Sequence, residues 1–140
     1  MKIFQKELQF ASTAQIELID ITENVKKIII ASKIKNGILQ INSLHTTAAI
    51  VINENEKGLK KDFISAQQLL IQYKKLTKLI RHHCVRLNAA AHLSSGIIGS
   101  AKTIIIKNGE PVLGTWQSIF LYELDGPRKH RKVHLLAMGQ

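Results

Sequence analysis

Apolar and polar residues alternate along much of this chain, and changes in that alternation mark its elements. "KIFQKELQF" at 2–10 sets Ile3, Phe4, Leu8 and Phe10 among Lys and Gln, the pattern of a half-buried strand. "AQIELID" at 14–20 reads as a short second strand. In "ITENVKKIIIASKIKNG" the period changes: Val25, Ile28 and Ile29 recur at helical spacing. Asp20 or Thr22 stands ready to cap that helix and Gly37 to stop it. "GILQINSL" and "TTAAIVIN" then predict two successive strands, the second carrying an apolar run from Ala48 to Ile52.

The segment "EKGLKKDFISAQQLLIQYKKLTKLIRHH" places Leu59, Phe63, Ala66, Leu69, Leu70 and Tyr73 on one side of a long helix. "NAAAHLSSGIIG" predicts a short helix ending at Gly96 or Gly99. "AKTIIIKNGEPVL" is a hairpin turning at Asn108-Gly109, and "GTWQSIFLYELDG" and "RKVHLLAMG" supply the last strands. About eight mainly antiparallel strands and two to three helices make an α+β domain. Its strands form two packed layers or one curved sheet, with the helices on one side.

Length and composition set the limits. At 140 residues and 45% hydrophobic content the chain suits one domain, 1–140. It has no repeat or Pro/Gly-rich linker, and no apolar stretch long enough for a membrane span. "MKIFQKELQF" lacks the apolar core of a secretory leader, and the single Cys84 agrees with a reducing compartment, so a cytoplasmic location is expected. The net charge of +10 attracts phosphorylated small molecules, nucleic acid or anionic surfaces. Lysine outnumbers arginine 16 to 4 and aromatics are only 5%, so base stackers and bidentate guanine readers are scarce, which argues against nucleic acid.

Candidate chemistry is concentrated in three places. In "SLHTTAAIVINENE", His45, Thr46 and Thr47 stand at one end of a core strand and Asn53 and Glu54 at the other. His82, His83 and His92 flank a short loop and helix start, without any local metal-ligand spacing such as H-E-x-x-H. In "LGTWQSIFLYELDGPRKHRK", Arg128, Lys129, Arg131 and Lys132 either grip phosphate or form a charged, solvated start to the last strand.

Together "HTTAAIVINENE", "AAAHLSSGIIGS" and "VLGTWQSIFLYELDGPR" resemble, in order and spacing, the YjbQ-type family of secondary thiamine-phosphate synthases. The resemblance covers nearly the whole chain. It implies an α+β homotrimer with sites near subunit boundaries and a divalent metal, zinc or, with pyrophosphate, magnesium, held by His45, His82 and His92. His83 competes with His82 for that role, and Cys84 reads as a small buried hydrophobe. His45, His92 and Arg128 are the implied catalytic residues. Thr46, Asn53, Glu54, Gly114, Thr115, Gln117, Arg128 and Lys129 would bind a phosphorylated substrate. The implied reaction joins a pyrimidine methyl diphosphate to a thiazole phosphate and releases pyrophosphate; the alternative is a metal- or ligand-binding homotrimer with little or no catalysis. Eight residues at about 3.3 Å each put His45 and Asn53 roughly 26 Å apart, so they are expected to share a pocket only across a subunit boundary.

Overall fold

In a computed structural model the described residues are 1–71, 81–82 and 88–140. They contain eight strands and three helices: β1 (Lys2–Phe10), β2 (Glu17–Asp20), α1 (Thr22–Ser32), β3 (Gly37–Ser43), β4 (Ala48–Asn53), α2 (Lys57–Ile71), α3 (Ala89–Ile98), β5 (Ala101–Lys107), β6 (Glu110–Pro111), β7 (Ser118–Glu123) and β8 (Arg131–Gly139). His83, Cys84 and the expected continuation of α2 through Tyr73 lie outside the described residues.

The strands form two antiparallel sheets, one of order β1-β8-β3-β5-β6 and one of order β2-β7-β4. They pack face to face, so the two-layer alternative is the one found. The inner faces meet through Leu39, Ile41, Ile104, Ile106, Val133, Leu135 and Ala137 from the larger sheet and Ala48, Ile50, Ile119 and Leu121 from the smaller. α1 closes this core with Ile21, Val25, Ile28 and Ile29. The other face of the smaller sheet carries Ala49, Val51, Phe120 and Tyr122 against Ala91 of α3 and Phe63 and Ile64 of α2. β4 and β7 are thus buried on both faces, which explains their unbroken apolar runs. β3, β5 and β8 cover the core with one face only, and burial alternates along them.

Local signals are obeyed in part. Asp20 Oδ1 accepts the Thr22 N–H at 2.8 Å and the Thr22 hydroxyl at 2.5 Å, anchoring the start of α1. Asn108 and Gly109 take φ of 56° and 81°, the left-handed pair a tight hairpin needs. Gly37 does not stop α1: Lys33, with φ 55°, does. Gly37 instead opens β3 beside β8, where a Cβ would lie 2.1 Å from the Met138 carbonyl oxygen.

Candidate functional site

The strand that carries the candidate chemistry begins at Ala48, so His45, Thr46 and Thr47 form the loop joining β3 to β4. β4 pairs with β7 from Ala48–Glu123 to Asn53–Ser118. The predicted residues therefore divide between two ends of the smaller sheet, separated by the length of β4, about 17 Å. His45 and Thr46 adjoin the Glu123–Arg131 stretch, while Asn53 and Glu54 adjoin the turn at 114–117.

At the first end, the chemistry is organised by a buried ion pair that the charge pattern did not announce. Glu123 is fully buried and accepts from Arg131 Nε at 2.7 Å, from Ser12 Oγ at 2.8 Å and from the Asp125 N–H at 2.9 Å; Arg131 Nη2 makes a further short bond to it. Burial would raise the Glu123 carboxyl, but the Arg131 guanidinium, the Asp125 amide and the Ser12 hydroxyl outweigh it and hold the group below the usual carboxylate range. Arg131 Nη2 also donates to the Thr47 carbonyl (3.2 Å) and hydroxyl (3.0 Å), fixing the loop that holds His45. Arg131 is thus withdrawn from the expected cluster of phosphate-gripping cations. Lys132 pairs with Glu7 at 3.1 Å. Arg128 donates from Nε to the Asp125 carbonyl (2.9 Å) and from Nη2 to the Asp125 carboxylate (2.7 Å), leaving further guanidinium donors without a partner among the described residues. Lys129 is exposed.

His45 is half-buried, and its Nε2 accepts the backbone N–H of Lys132 at 2.7 Å. An amide donor aimed at Nε2 leaves no room for a proton there, so the neutral ring carries its proton on Nδ1. Burial first, then the neighbouring Arg131, Arg128 and Lys132 charges, lower the affinity of His45 for a second proton, with Glu123 opposing them. Among the described residues the Nδ1–H has no partner.

α3 brings the third component. Its N-cap residue Asn88 makes no side-chain cap: its amide donates instead to the Asp125 carboxylate at 2.8 Å. Ser95 of α3 donates to the Ala48 carbonyl at 2.8 Å, so the helix crosses β4 with His92 toward the His45 end. His82 meets His92 edge to face, with ring centroids 4.8 Å apart.

The second end is more self-contained. Asn53 Oδ1 accepts the Glu54 N–H at 2.8 Å. The Gly114 N–H donates to Gln117 Oε1 (2.8 Å) and the Gln117 N–H to the Gly114 carbonyl (2.9 Å), so Gln117 closes its own turn, with Thr115 and Trp116 exposed at the tip. Asn53 and Glu54 line a shallow groove with Leu18, Val51, Lys60 and Phe63. Beside it Tyr122 lies under Phe63, its ring centroid 5.5 Å away and its hydroxyl without a partner among the described residues; burial pushes that hydroxyl up to about 12.

The described donors do not gather as the implied metal would require. Among the described residues no group of three or more His, Cys, Asp or Glu side chains is placed to hold an ion. His45 has Nε2 committed to an amide, so its lone pair is not available in the neutral tautomer. His45, His82 and His92 therefore do not form a ligand triad. Nor is any helix among the described residues long and apolar enough to cross a membrane.

Comparison with known proteins places this fold among close relatives. The model of the "UPF0047 protein YjbQ-like" family matches residues 6–140. A UPF0047 protein of Methanothermobacter thermautotrophicus is 40% identical over 131 residues, covering 94% of this chain and 90% of that one. UPF0047 protein YugU of Bacillus subtilis is 38% identical over 135 residues, covering 96% and 98%. The crystal structure of a YbjQ-like protein of unknown function from Sulfolobus solfataricus superposes with a TM-score of 0.92 at 37% identity, over 99% of each chain. A hypothetical protein from Aeropyrum pernix gives a TM-score of 0.88 at 34% identity, over 98% of this chain and 99% of that one. These proteins carry a family number, or the words hypothetical or unknown function, and none is described as a thiamine-phosphate synthase. With no such name among them and no metal site among the described residues, the expected thiamine-phosphate synthase is withdrawn.

Proposed function

Because the chain belongs to the UPF0047 YjbQ-like family, a name that carries no reaction, we propose from its own geometry that it binds a small phosphorylated or carboxylated molecule at the His45 end of the smaller sheet. The observation that carries this reading is the fixed neutral imidazole of His45, with Nε2 on the Lys132 amide and an Nδ1–H that no described residue engages. Around it stand donors of Arg128 without a partner among the described residues, the exposed Thr46 and Lys129, and the N-terminus of α3, which the Asn88 side chain does not cap. Uncapped helix N–H groups, a guanidinium edge and an imidazole N–H all seek oxyanions. His45 in this state donates; it does not abstract a proton, because its other nitrogen is occupied. A reaction at this site would use it to stabilise charge on oxygen. His82 pairs its ring with His92 of α3, whose N-terminal half lies toward this end, and the protein is read as a homotrimer.

Isothermal titration with inorganic phosphate, pyrophosphate and citrate at low salt tests the reading. His45→Ala and Arg128→Gln should each weaken the tightest of the three roughly tenfold, the loss of one charge-assisted hydrogen bond. Lys107→Gln, on β5 far from the loop, should change nothing. No measurable binding of any of the three, or equal binding by all variants, would sink it.

A further inference from the structure

The polar run "NENE" at 53–56 closes β4, and the anion site at the other end of the strand leaves it unused. Three of its side chains are committed to the fold. Asn53 Oδ1 accepts the Glu54 N–H at 2.8 Å, and Asn55 Nδ2 donates to Asp20 Oδ2 at 2.8 Å. Glu56 accepts the Gly58 and Leu59 N–H groups at the start of α2. Glu54 has no such task. Its residue is half-buried, and its carboxylate has no hydrogen bond or ion pair among the described residues.

The surroundings of Glu54 are mostly apolar. The groove it lines runs between the first turns of α2 and the smaller sheet, with Leu59 and Phe63 on one wall and Leu18 and Phe120 on the other. A carboxylate among such groups is poorly hydrated, and a cation that meets it there offsets that cost. Lys60 lines the same groove and is also half-buried, yet no ion pair joins it to Glu54 or to any other described acid. One groove thus presents a carboxylate and an ammonium that stand apart. A purely cationic ligand would be repelled by Lys60 and a purely anionic one by Glu54. A molecule carrying both signs answers both. Size narrows the choice further. The space at the floor is about 10 Å³, room for one water-sized group such as an ammonium head and too little for a ring. The body of the ligand must therefore lie in the open part, along Leu59 and Phe63.

We propose that this groove is a second binding site, for a small zwitterion of the amino-acid class with an apolar side chain. Its ammonium meets Glu54, its carboxylate meets Lys60, and its side chain lies against Leu59 and Phe63. The two sites stand at opposite ends of β4, and neither depends on the other.

Titration of the full chain with L-leucine, followed by amide NMR, tests it. N-acetylleucine, which lacks the ammonium, and leucine methyl ester, which lacks the carboxylate, are run beside it. Leucine should shift the amides of Glu54, Leu59 and Lys60 and leave those of the His45 loop in place. N-acetylleucine should bind roughly tenfold more weakly, and so should leucine to Glu54→Gln. That variant keeps the side-chain shape and breaks no bond among the described residues, so its circular dichroism should match the wild type. Lys60→Gln should weaken leucine by a similar factor and bind the methyl ester at least as well as the wild type does, because a like charge is gone. Asp62→Asn, an exposed acid of α2 outside the groove, should change nothing. No shift with leucine, shifts confined to the His45 loop, or equal binding by Glu54→Gln would overturn the proposal. N-acetylleucine or the methyl ester binding the wild type as tightly as leucine would overturn it equally.

Discussion

Replacing Arg131 with Met tests the reasoning about the buried ion pair most severely. The substitution keeps most of the side-chain volume and removes the guanidinium that bonds Glu123 twice and Thr47 twice. Glu123 would then keep only the Ser12 hydroxyl and the Asp125 amide in a site closed to water. Stranding a buried charge in this way costs about 3–5 kcal/mol, whereas replacing both partners by apolar groups of similar size costs much less. The double variant Glu123→Leu/Arg131→Met should therefore be more stable than Arg131→Met alone. The pH dependence has a definite sign. In the wild type the folded carboxyl titrates below its unfolded value, so its contribution is present above the ordinary carboxylate range and fades as pH falls through the folded value. In Arg131→Met burial prevails and the folded value rises above the unfolded one, so stability is greatest at low pH and falls as pH climbs through the raised value. The deficit of the variant should accordingly widen from pH 4.5 to pH 8, a range bracketing the ordinary glutamate value of about 4.3. Urea denaturation followed by circular dichroism, at equal protein concentration, measures it. A deficit under about 1 kcal/mol, or one that does not change with pH, would show that Glu123 is not held as described.

Two further outcomes are expected. Gly37→Ala should cost more than about 2 kcal/mol in denaturant melts, because its Cβ would meet the Met138 carbonyl oxygen at 2.1 Å in a continuous ladder. Gly96→Ala, in α3 with nothing within 4 Å of the added carbon, should instead gain up to about 1 kcal/mol. In an NMR titration His45 should protonate below the ordinary histidine range, since burial and three neighbouring cations favour its neutral form. It thus adds stability that is present at neutral pH and lost as pH falls through its folded value.

The architecture was legible where a residue answers to its chain neighbours. Asn108-Gly109 demanded a tight hairpin, Val25, Ile28 and Ile29 demanded one buried helix face, and doubly buried β4 and β7 showed as unbroken apolar runs. Gly37 misled because a glycine after a helical pattern usually marks its end, while here the missing side chain admits the β8 backbone at Met138, far along the chain. Candidate residues could be named from the sequence, but their arrangement could not. Arg128, Lys129, Arg131 and Lys132 look alike in sequence, yet Arg131 is sunk onto Glu123, Lys132 is tied to Glu7 and Arg128 is half engaged by Asp125. One signal could have singled out the buried pair: Glu123 is the lone acid inside "SIFLYEL", where an unpaired charge could not be buried.

The placement of β8 has a consequence for how the molecule is made. The last of the eight strands in sequence, it lies between β1, the first, and β3, and it completes both ladders. On the ribosome, β1 waits with its pairing edge bare while more than a hundred further residues are synthesised. Until 131–139 emerge, the larger sheet is a cleft between two open edges that any extended segment of suitable alternation could fill. Such distant pairing makes closure slow. The interval before β8 docks is therefore when this protein is most exposed to aggregation and most dependent on a chaperone.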